Sequence, residues 1–541
     1  MSTNDTGAPT RWAELVQYIA LTIAIAGLQL VWSVETGFGS PYLLSLGLKK
    51  SLVSLVWLAG PLSGLIMQPL VGIFSDKSTS RFGRRRPYIV GATACSVLSL
   101  IVIGWTREIA GGHETLTIWL AVIAFYFLDF AINCLQAGLR ALIVDVLPAS
   151  RQDAGTAWAS RMIGIGNVTG YLMGFLDLVH ILPFLGSTHM QVLTTLASLV
   201  LSLTVAITCY CTHETPLLRA PSNSEDNLQA FKALFTSLRS LPVVIKRIFR
   251  IQLLAWIGWF PFLFYSTTYI ADLYMAAHDA SSDADMERGT RAGSLAMFAH
   301  AVVSLCSSLV LPLITYSTVT GPPRQPQEPG AGGSASAIGY AINVLFAVRR
   351  RLTVSLPTMW TISLGVFSLS MLLTPVVSSV SVASALLAAC GLSWAVAMWI
   401  PYSMIGETIR NVASLPPEQH PELQMDMAPA RGDYVQVATG DIPLEVMDGT
   451  SPEPASEPTT ASEATELSAG TILGVHNVFI VLPQFITAFA SSLIFAAFEH
   501  IQGTSSEGEG GGQHAQQIAL VMCLGGLSAT AAGYLTWKLR S

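Results

Sequence analysis

Residues 116–147 read LTIWLAVIAFYFLDFAINCLQAGLRALIVDVL, an apolar run long enough to cross a bilayer as one helix. The whole chain has 541 residues, of which 51% are hydrophobic and only 11% are charged. Soluble domains carry about 25% charged residues, and a soluble protein of this size needs a charged surface that this composition cannot supply. The sequence therefore predicts a polytopic membrane protein.

Further stretches of the same kind occur along the chain and predict an all-α fold with twelve transmembrane helices in total. None of them shows the short alternating pattern of a β-barrel strand, so helices are favoured. The predicted helices are 15–38, 50–75, 87–107, 116–147, 155–180, 190–211, 251–275, 292–316, 354–377, 382–407, 469–497 and 516–538.

The distribution of basic residues predicts the orientation. An even number of helices puts both termini on one side, and if that side is cytoplasmic, most of the 28 lysines and arginines fall in inner segments. The positive-inside rule therefore predicts cytoplasmic termini. We expect an integral protein of the plasma membrane, with the vacuolar membrane as the alternative, and a monomer should suffice.

The chain is predicted to divide into two bundles of six helices. The motif Gly-x-x-Asn-Val occurs at 164–168 and again at 474–478, six helices later, which favours two related halves and alternating access. The predicted regions are a cytoplasmic N-terminus at 1–14, a first bundle at 15–211, a central loop at 212–250 and a second bundle at 251–541, with disordered cytoplasmic loops at 317–348 and 411–468.

Three charged residues stand out inside the membrane part of the predicted helices, namely Glu35, Asp129 and Arg140. A charge at the bilayer centre costs about 2.5–3.5 kcal/mol, which makes each of them a candidate functional residue. Asp129 and Arg140 share one helix face at a distance of about 16 Å along the axis, too far apart to pair. A buried carboxylate can carry a proton, and a guanidinium can bind neighbouring sugar hydroxyls. The alternative is a static ion pair between Arg140 and Glu35.

Aromatic and polar residues in later helices suit a sugar. Trp256 and Trp259 lie near Pro261, and Trp394 and Trp399 lie near Pro401, so kinked helices could line a cavity, although packing is the alternative. Asn477 is a polar group in an apolar helix. We find no nucleotide-binding, hydrolase or metal-site motif. The sequence predicts no enzyme, no cofactor apart from a coupling proton, no metal and no nucleic-acid partner.

The run GIFSDKSTSRFGRRRP at 72–87 resembles the signature loop of the major facilitator superfamily. Its spacing resembles the glycoside–pentoside–hexuronide:cation symporters and, with LD at 128–129 and NCLQAGLR at 133–140, the sucrose/α-glucoside proton symporters. The resemblance implies the major facilitator fold, with Asp129 as proton acceptor and Arg140 as sugar ligand. We assign proton coupling to Asp129 and Glu35. The other candidates are Asn133, Gln136, Trp259, Arg291, Trp394 and Asn477 for substrate binding, and Asp76, Arg81, Arg84, Arg85 and Asp145 for the cytoplasmic gate.

The first helix departs from the plant pattern. Plant members of the resembled group lack the glutamate found here at Glu35, so the chain looks fungal or animal. The resemblance implies proton-coupled uptake of sucrose or another α-glucoside, such as maltose, by alternating access across the lipid bilayer. The alternatives are an uncoupled or outward transporter of a small sugar such as glucose, and a non-transporting sugar sensor.

Overall fold

The computed structural model describes residues 11–76, 78–148, 151–212, 214, 241–278, 282–316, 354–413, 469–502 and 512–539. The predicted loop 317–348, nearly all of the predicted loop 411–468 and most of the central loop lie outside the described residues. The described part is almost entirely helical. Its helices are α1 Arg11–Ser45, α2 Lys50–Val56, α3 Ala59–Asp76, α4 Arg86–Gly104, α5 Thr106–Ile109, α6 Glu114–Val146, α7 Gln152–Phe175, α8 Leu178–Ile181, α9 His189–Cys211, α10 Val243–Ala277, α11 Asp283–Ile314, α12 Leu356–Leu373, α13 Val380–Ala413, α14 Ala469–Gln502 and α15 Gly512–Trp537.

The predicted all-α membrane fold is confirmed. Within the described residues, eleven spans are long and apolar enough to cross a membrane, with α2 and α3 together forming one of them. Helix α7 is more polar but has 24 residues, a length of about 36 Å, which also suffices to cross. Together these elements account for the twelve predicted spans.

The helices pack in two groups. In the first bundle, α1 packs on α7 and α9, α4 lies between α6 and α9, and α3 runs along α6. In the second, α10 packs on α11 and α15, and α12 packs on α13 and α15. The bundles meet where α7 contacts α11, α2 contacts α14 and α1 contacts α10.

Two helices begin earlier than the hydropathy pattern predicts. Helix α10 begins at Val243, so part of the predicted central loop is helical. Ile245, Ile248 and Phe249 are buried there, while Arg247 and Arg250 are exposed. The first turns of α10 are therefore amphipathic. Their mean hydropathy is low, so a search for apolar stretches misses them. Helix α11 likewise begins with a polar turn, whose N-cap is Ser282.

A short strand pair closes the second bundle at the ends of α11 and α12. Strand β1, Thr315–Tyr316, pairs in parallel with β2, Val354–Ser355. The pair brings the end of α11 beside the start of α12. The sequence analysis did not predict it, because two residues are too few to give an alternating pattern.

Candidate functional site

The centre of the site is a pair of buried carboxyl groups. Glu35 of α1 is 1% exposed and Asp129 of α6 is 3% exposed. The two groups are near enough to interact directly. Both oxygens of Glu35 and Oδ1 of Asp129 accept no hydrogen bond from the described residues. The structure thus brings together the two acids that the sequence analysis assigned to proton coupling.

A glycine lets the second bundle approach this pair. A β-carbon placed at Gly60 of α3 would lie 3.6 Å from Asp129 Oδ1 and 2.8 Å from Gln484 Nε2. Gln484 belongs to α14, so an amide of the second bundle reaches towards the carboxyl pair across Gly60. The prediction of site residues missed Gln484. The available signal was an amide in an otherwise apolar helix.

We expect Gly60→Ala to reduce transport, because its β-carbon would displace the Gln484 amide from its place beside the carboxyl pair. Gly91→Ala in α4 is the matched control, since no atom lies within 4 Å of a β-carbon there. The measurement is initial sugar uptake per molecule of folded protein. Equal activity of the two variants would show that the close approach of α14 is dispensable.

Asn133 lies beside Asp129 but serves the first bundle. Its Nδ2 donates to Ser63 Oγ at 2.8 Å and to the Asp129 carbonyl oxygen at 3.0 Å. Its Oδ1 accepts from Gln68 Nε2 at 3.2 Å. Both of its donor hydrogens are used inside the protein, so the structure does not present Asn133 as a sugar ligand. It fixes α3 against α6 instead.

Arg140 is exposed and forms no ion pair with the described residues. The alternative of a static ion pair with Glu35 is therefore wrong: Glu35 is buried against Asp129, while Arg140 lies three turns further along α6. The Arg140 charge acts on Tyr402 of α13, which is 42% exposed. The two residues therefore lie near each other, although they belong to different bundles. Gln136, one turn before Arg140, is half-buried.

A polar cluster of the second bundle lies next to Tyr402. Gln252 of α10 and His476 of α14 are buried, and Gln252 Nε2 lies 3.2 Å from His476 Nε2. The His476 ring meets Tyr402 edge to face, with centroids 4.9 Å apart. Asn477 follows His476 and is half-buried. Tyr402 therefore lies between the charge of Arg140 and a cluster of imidazole and amide groups in the second bundle.

The tryptophans divide into a core residue and a half-buried residue. Trp259 is 1% exposed, with its ring 4.1 Å from Phe367 and 5.0 Å from Trp394 between centroids. Packing against α12 and α13 encloses its ring in this state, and the substrate role of Trp259 stays a prediction. Trp394 is half-buried and packs against it. Packing, the alternative weighed for these aromatics, applies to Trp259.

One side of the molecule holds the bundles together through the ends of α2, α10 and α14. Lys50 Nζ lies 2.8 Å from Asp272 Oδ2, and Ser51 donates twice to Glu499, at 3.2 and 2.8 Å. The closing contacts, as we call this set, are Lys50–Asp272, Ser51–Glu499, Ser54–Tyr265 at 2.8 Å and the stacked pair Trp57–Phe264 at 4.5 Å. They join the bundles on what we call the closed side.

Comparisons with known proteins agree with this architecture. The family described as MFS/sugar transport protein matches residues 19–306, more than half of the chain. The chain belongs to this family. It is 34% identical to the general alpha-glucoside permease of Schizosaccharomyces pombe, over 95% of this chain and 92% of that protein. It is 28% identical to the sucrose transport protein SUT3 of rice (Oryza sativa subsp. japonica), over 54% of this chain and 63% of the rice protein.

Solved structures show the same fold at low sequence identity. The xylose transporter XylE from E. coli, in a partially occluded inward-open conformation, covers 97% of this chain and 99% of its own, with a TM-score of 0.54 and 12% identity. A bacterial homologue of the human lysosomal transporter Spinster, inward-facing and occupied, covers 99% and 97%, with a TM-score of 0.52. The major facilitator fold is confirmed, and membership of the MFS/sugar transport family makes the chain a transporter rather than an enzyme.

In this member of the MFS/sugar transport family, Arg291 belongs to the closed side. Its Nε donates to the Phe175 carbonyl oxygen at 3.0 Å, and its Nη1 lies 3.2 Å from Asp177 Oδ2. These contacts tie the start of α11 to the end of α7. In this state the donors of Arg291 are turned to the junction between the bundles, and its substrate role stays a prediction.

We expect Asp177 to stay ionised between pH 5 and pH 7.5. The hydrogen bond from His180 and the nearby charge of Arg291 hold the pKa of Asp177 below its usual range. A lowered pKa keeps this carboxylate ionised across that interval. We expect Asp177→Asn to change uptake by the same factor at both pH values. A change confined to pH 5 would contradict this assignment.

The opposite side carries ion pairs within the first bundle only. Arg84 Nη2 and Arg85 Nε lie 2.6 and 2.7 Å from the Asp145 carboxylate, and the Arg85 backbone N–H donates to Glu214 at 3.0 Å. These predicted gate residues are brought together, whereas the Arg81 guanidinium lies over the Phe82 ring at 4.8 Å. The side chain of Asp76 lies outside the described residues. No ion pair among the described side chains joins the two bundles on this side.

Lys50 and Asp272 offer a direct test of the closing contacts. Their side chains are only 13% and 8% exposed, and removal of one partner from a buried pair leaves an uncompensated charge. We expect Lys50→Gln to weaken the closed side and slow transport, and Lys50→Gln combined with Asp272→Asn to restore part of the activity. Uptake measured in the two single variants and in the double variant gives the interaction energy between Lys50 and Asp272. Additive losses would show that this pair does not act as a unit.

Proposed function

We propose that the chain carries sucrose or another α-glucoside, such as maltose, together with protons into the cell. The carrying observation is the pair of buried carboxyl groups, Glu35 and Asp129, at the junction of the bundles, with Arg140 exposed further along α6. The similarity to an alpha-glucoside permease and to sucrose transport proteins supports the substrate class.

The carboxyl pair is the proposed proton site. Ionised carboxylates are acceptors only, whereas a single proton placed between two of them makes one the donor to the other. Glu35 and Asp129 accept no other hydrogen bond at three of their four oxygens. A bound proton therefore supplies the hydrogen bond that the protein does not. The pair with its shared proton carries one negative charge, and loss of the proton leaves two adjacent buried negative charges. The cost of these charges opposes a change of conformational state without the proton.

Arg140 is the proposed principal sugar ligand. A guanidinium offers five N–H donors in a rigid plane, which suits two neighbouring hydroxyls of one ring. Tyr402 faces Arg140 from the second bundle, and its phenol can both donate and accept. A sugar held by both residues spans the two bundles. Substrate binding therefore brings the bundles closer together on the side opposite the closed side, as alternating access requires.

The state described has its closing contacts formed, and we propose that the closed side faces outwards. With both termini cytoplasmic, Lys50 and Arg291 lie at the outer rim and Arg84 and Arg85 at the inner rim, which fits the bias of basic residues to the cytoplasm. The described state is then inward-facing. The proposed location is the plasma membrane. A monomer contains every group invoked, and the coupling proton is the only accessory required.

A sided transport assay tests this proposal. The purified full-length protein is reconstituted in proteoliposomes, and uptake of labelled sucrose, maltose and glucose is measured with and without an imposed pH gradient. The proposal predicts that an inward proton gradient drives accumulation of an α-glucoside above its external concentration. Equilibration at the same rate without a gradient would instead establish an uncoupled carrier.

A further inference from the structure

A separate cavity of about 400 Å³ lies on the closed side. Its walls are Phe38 and Tyr42 of α1, the short helix α5, the start of α9 and the start of α11. Neither carboxyl of the proton pair nor Arg140 lines it. Of these elements, only α11 belongs to the second bundle. The cavity is therefore complete only while the bundles are closed on this side.

His189 is the unusual residue of this cavity. Its side chain is 7% exposed, and neither Nδ1 nor Nε2 has a hydrogen-bond partner among the described residues. Its Nδ1 lies 4.0 Å from Oε1 of Glu287 on α11, too far for a hydrogen bond. A buried imidazole without partners costs free energy. A ligand that bonds to His189 recovers that cost.

The gap between His189 and Glu287 selects the chemistry of the ligand. An oxygen atom about 2.8 Å from each of the two atoms fits between them with a bent geometry. A hydroxyl group can occupy that position, because it donates to the carboxylate and accepts from an imidazole N–H. The cavity wall carries both signs of charge, with Arg107 on one hand and Glu108 and Glu287 on the other, so it favours neither an anion nor a cation.

The remaining walls suit the apolar face of a ring. Phe38 lies beside His189, with ring centroids 5.8 Å apart, and Met190 and Met286 complete the apolar surface. An uncharged pyranose ring has hydroxyls around its edge and C–H groups on its faces. Cavities that bind small molecules begin at about 300 Å³, so the volume is sufficient for such a ring.

We propose that this cavity binds an uncharged pyranoside and that the bound ligand holds the closed side shut. Opening of this side withdraws α11, and with it Glu287, from the wall formed by the first bundle. A ligand that binds only the closed arrangement shifts the population towards it. Sugar on this side therefore inhibits transport at high concentration. The binding is independent of the proposed function, whereas the inhibition rests on it.

Calorimetric titration with maltose tests the site. The purified full-length Arg140→Ala variant, in which central binding is disabled, should still bind maltose. In that background, His189→Ala and Glu287→Gln should each weaken binding by about tenfold or more. The controls are His278→Ala, an exposed histidine at the end of α10 that contacts Tyr274 outside the cavity, and Asp285→Asn, which contacts Arg288 outside it. Neither should change the affinity.

The outcomes separate the two proposals. Absence of maltose binding in Arg140→Ala, or binding that both His189→Ala and Glu287→Gln leave unchanged, overturns the second site. Binding that depends on His189, found together with a failure of gradient-driven uptake by the unmodified chain, leaves the second site standing and refutes the proposed transport. Elution as a folded monodisperse protein is checked for each variant before titration.

Discussion

Replacement of Asp129 by asparagine is expected to abolish gradient-driven accumulation of sugar. Asparagine keeps the shape of the side chain but cannot gain or lose a proton in the relevant range, and its amide donates permanently to Glu35. The neighbouring carboxyl group then no longer shares a proton with a second acid. Sugar exchange down its own gradient should persist, because Arg140 is unaltered and lies three turns away.

The measurement compares accumulation with exchange in the same proteoliposomes. Asp129→Asn should lose about tenfold or more of its gradient-driven uptake at pH 5, while counterflow of labelled sugar continues. Glu114→Gln is the matched control, an exposed acid at the start of the same helix α6. Full accumulation in Asp129→Asn would exclude this carboxyl as the coupling group. Glu35→Gln should lose the same pH response if the pair titrates as a unit.

Replacement of Arg140 by lysine is expected to weaken sugar binding although the positive charge remains. Lysine has a compact ammonium instead of a planar fork, so it cannot hold two hydroxyls at once. A hydrogen bond to a charged group contributes about 1.5–3 kcal/mol, and loss of one therefore raises the dissociation constant by about tenfold to a hundredfold. The effect should appear in KM for the sugar more than in its pH dependence.

The control for Arg140→Lys is Arg161→Lys on α7. Arg161 is exposed and lies over the Trp158 ring at 4.7 Å, on a different helix from Arg140. It should leave KM unchanged. Equal KM values for Arg140→Lys and the unmodified chain would mean that only the charge matters. A loss of maximal rate without a change in KM would place Arg140 in the conformational step.

The membrane fold could be predicted from the sequence, because a chain with twelve apolar segments of helix length can form few folds other than a bundle of transmembrane helices. It also identified Glu35 and Asp129, since a buried charge is costly and therefore conspicuous. Their direct contact could not be predicted, because it depends on how α1 packs against α6. Gln484 was missed for the same reason: only the glycine at position 60 lets its amide approach.

The sequence could not assign a role where a residue type suits two uses. Trp259 and Asn133 have groups that bind sugars, but equally groups that pack helices or bond between them, and spacing along the chain does not separate the two. Arg291 illustrates a third case, since its partners at the end of α7 are more than a hundred residues away in sequence. Contacts of this kind are fixed by tertiary packing alone.

The contacts at the two rims of the protein differ in whether the transport cycle has to break them. The ion pairs of Arg84 and Arg85 lie within one bundle, so they can stay formed throughout the transport cycle and stabilise the fold of that bundle. The closing contacts have to be broken and remade in every cycle. Inherited substitutions at Arg84 and Arg85 should thus lower the amount of protein that reaches the membrane. Substitutions at the closing contacts should instead alter the turnover rate at a normal abundance.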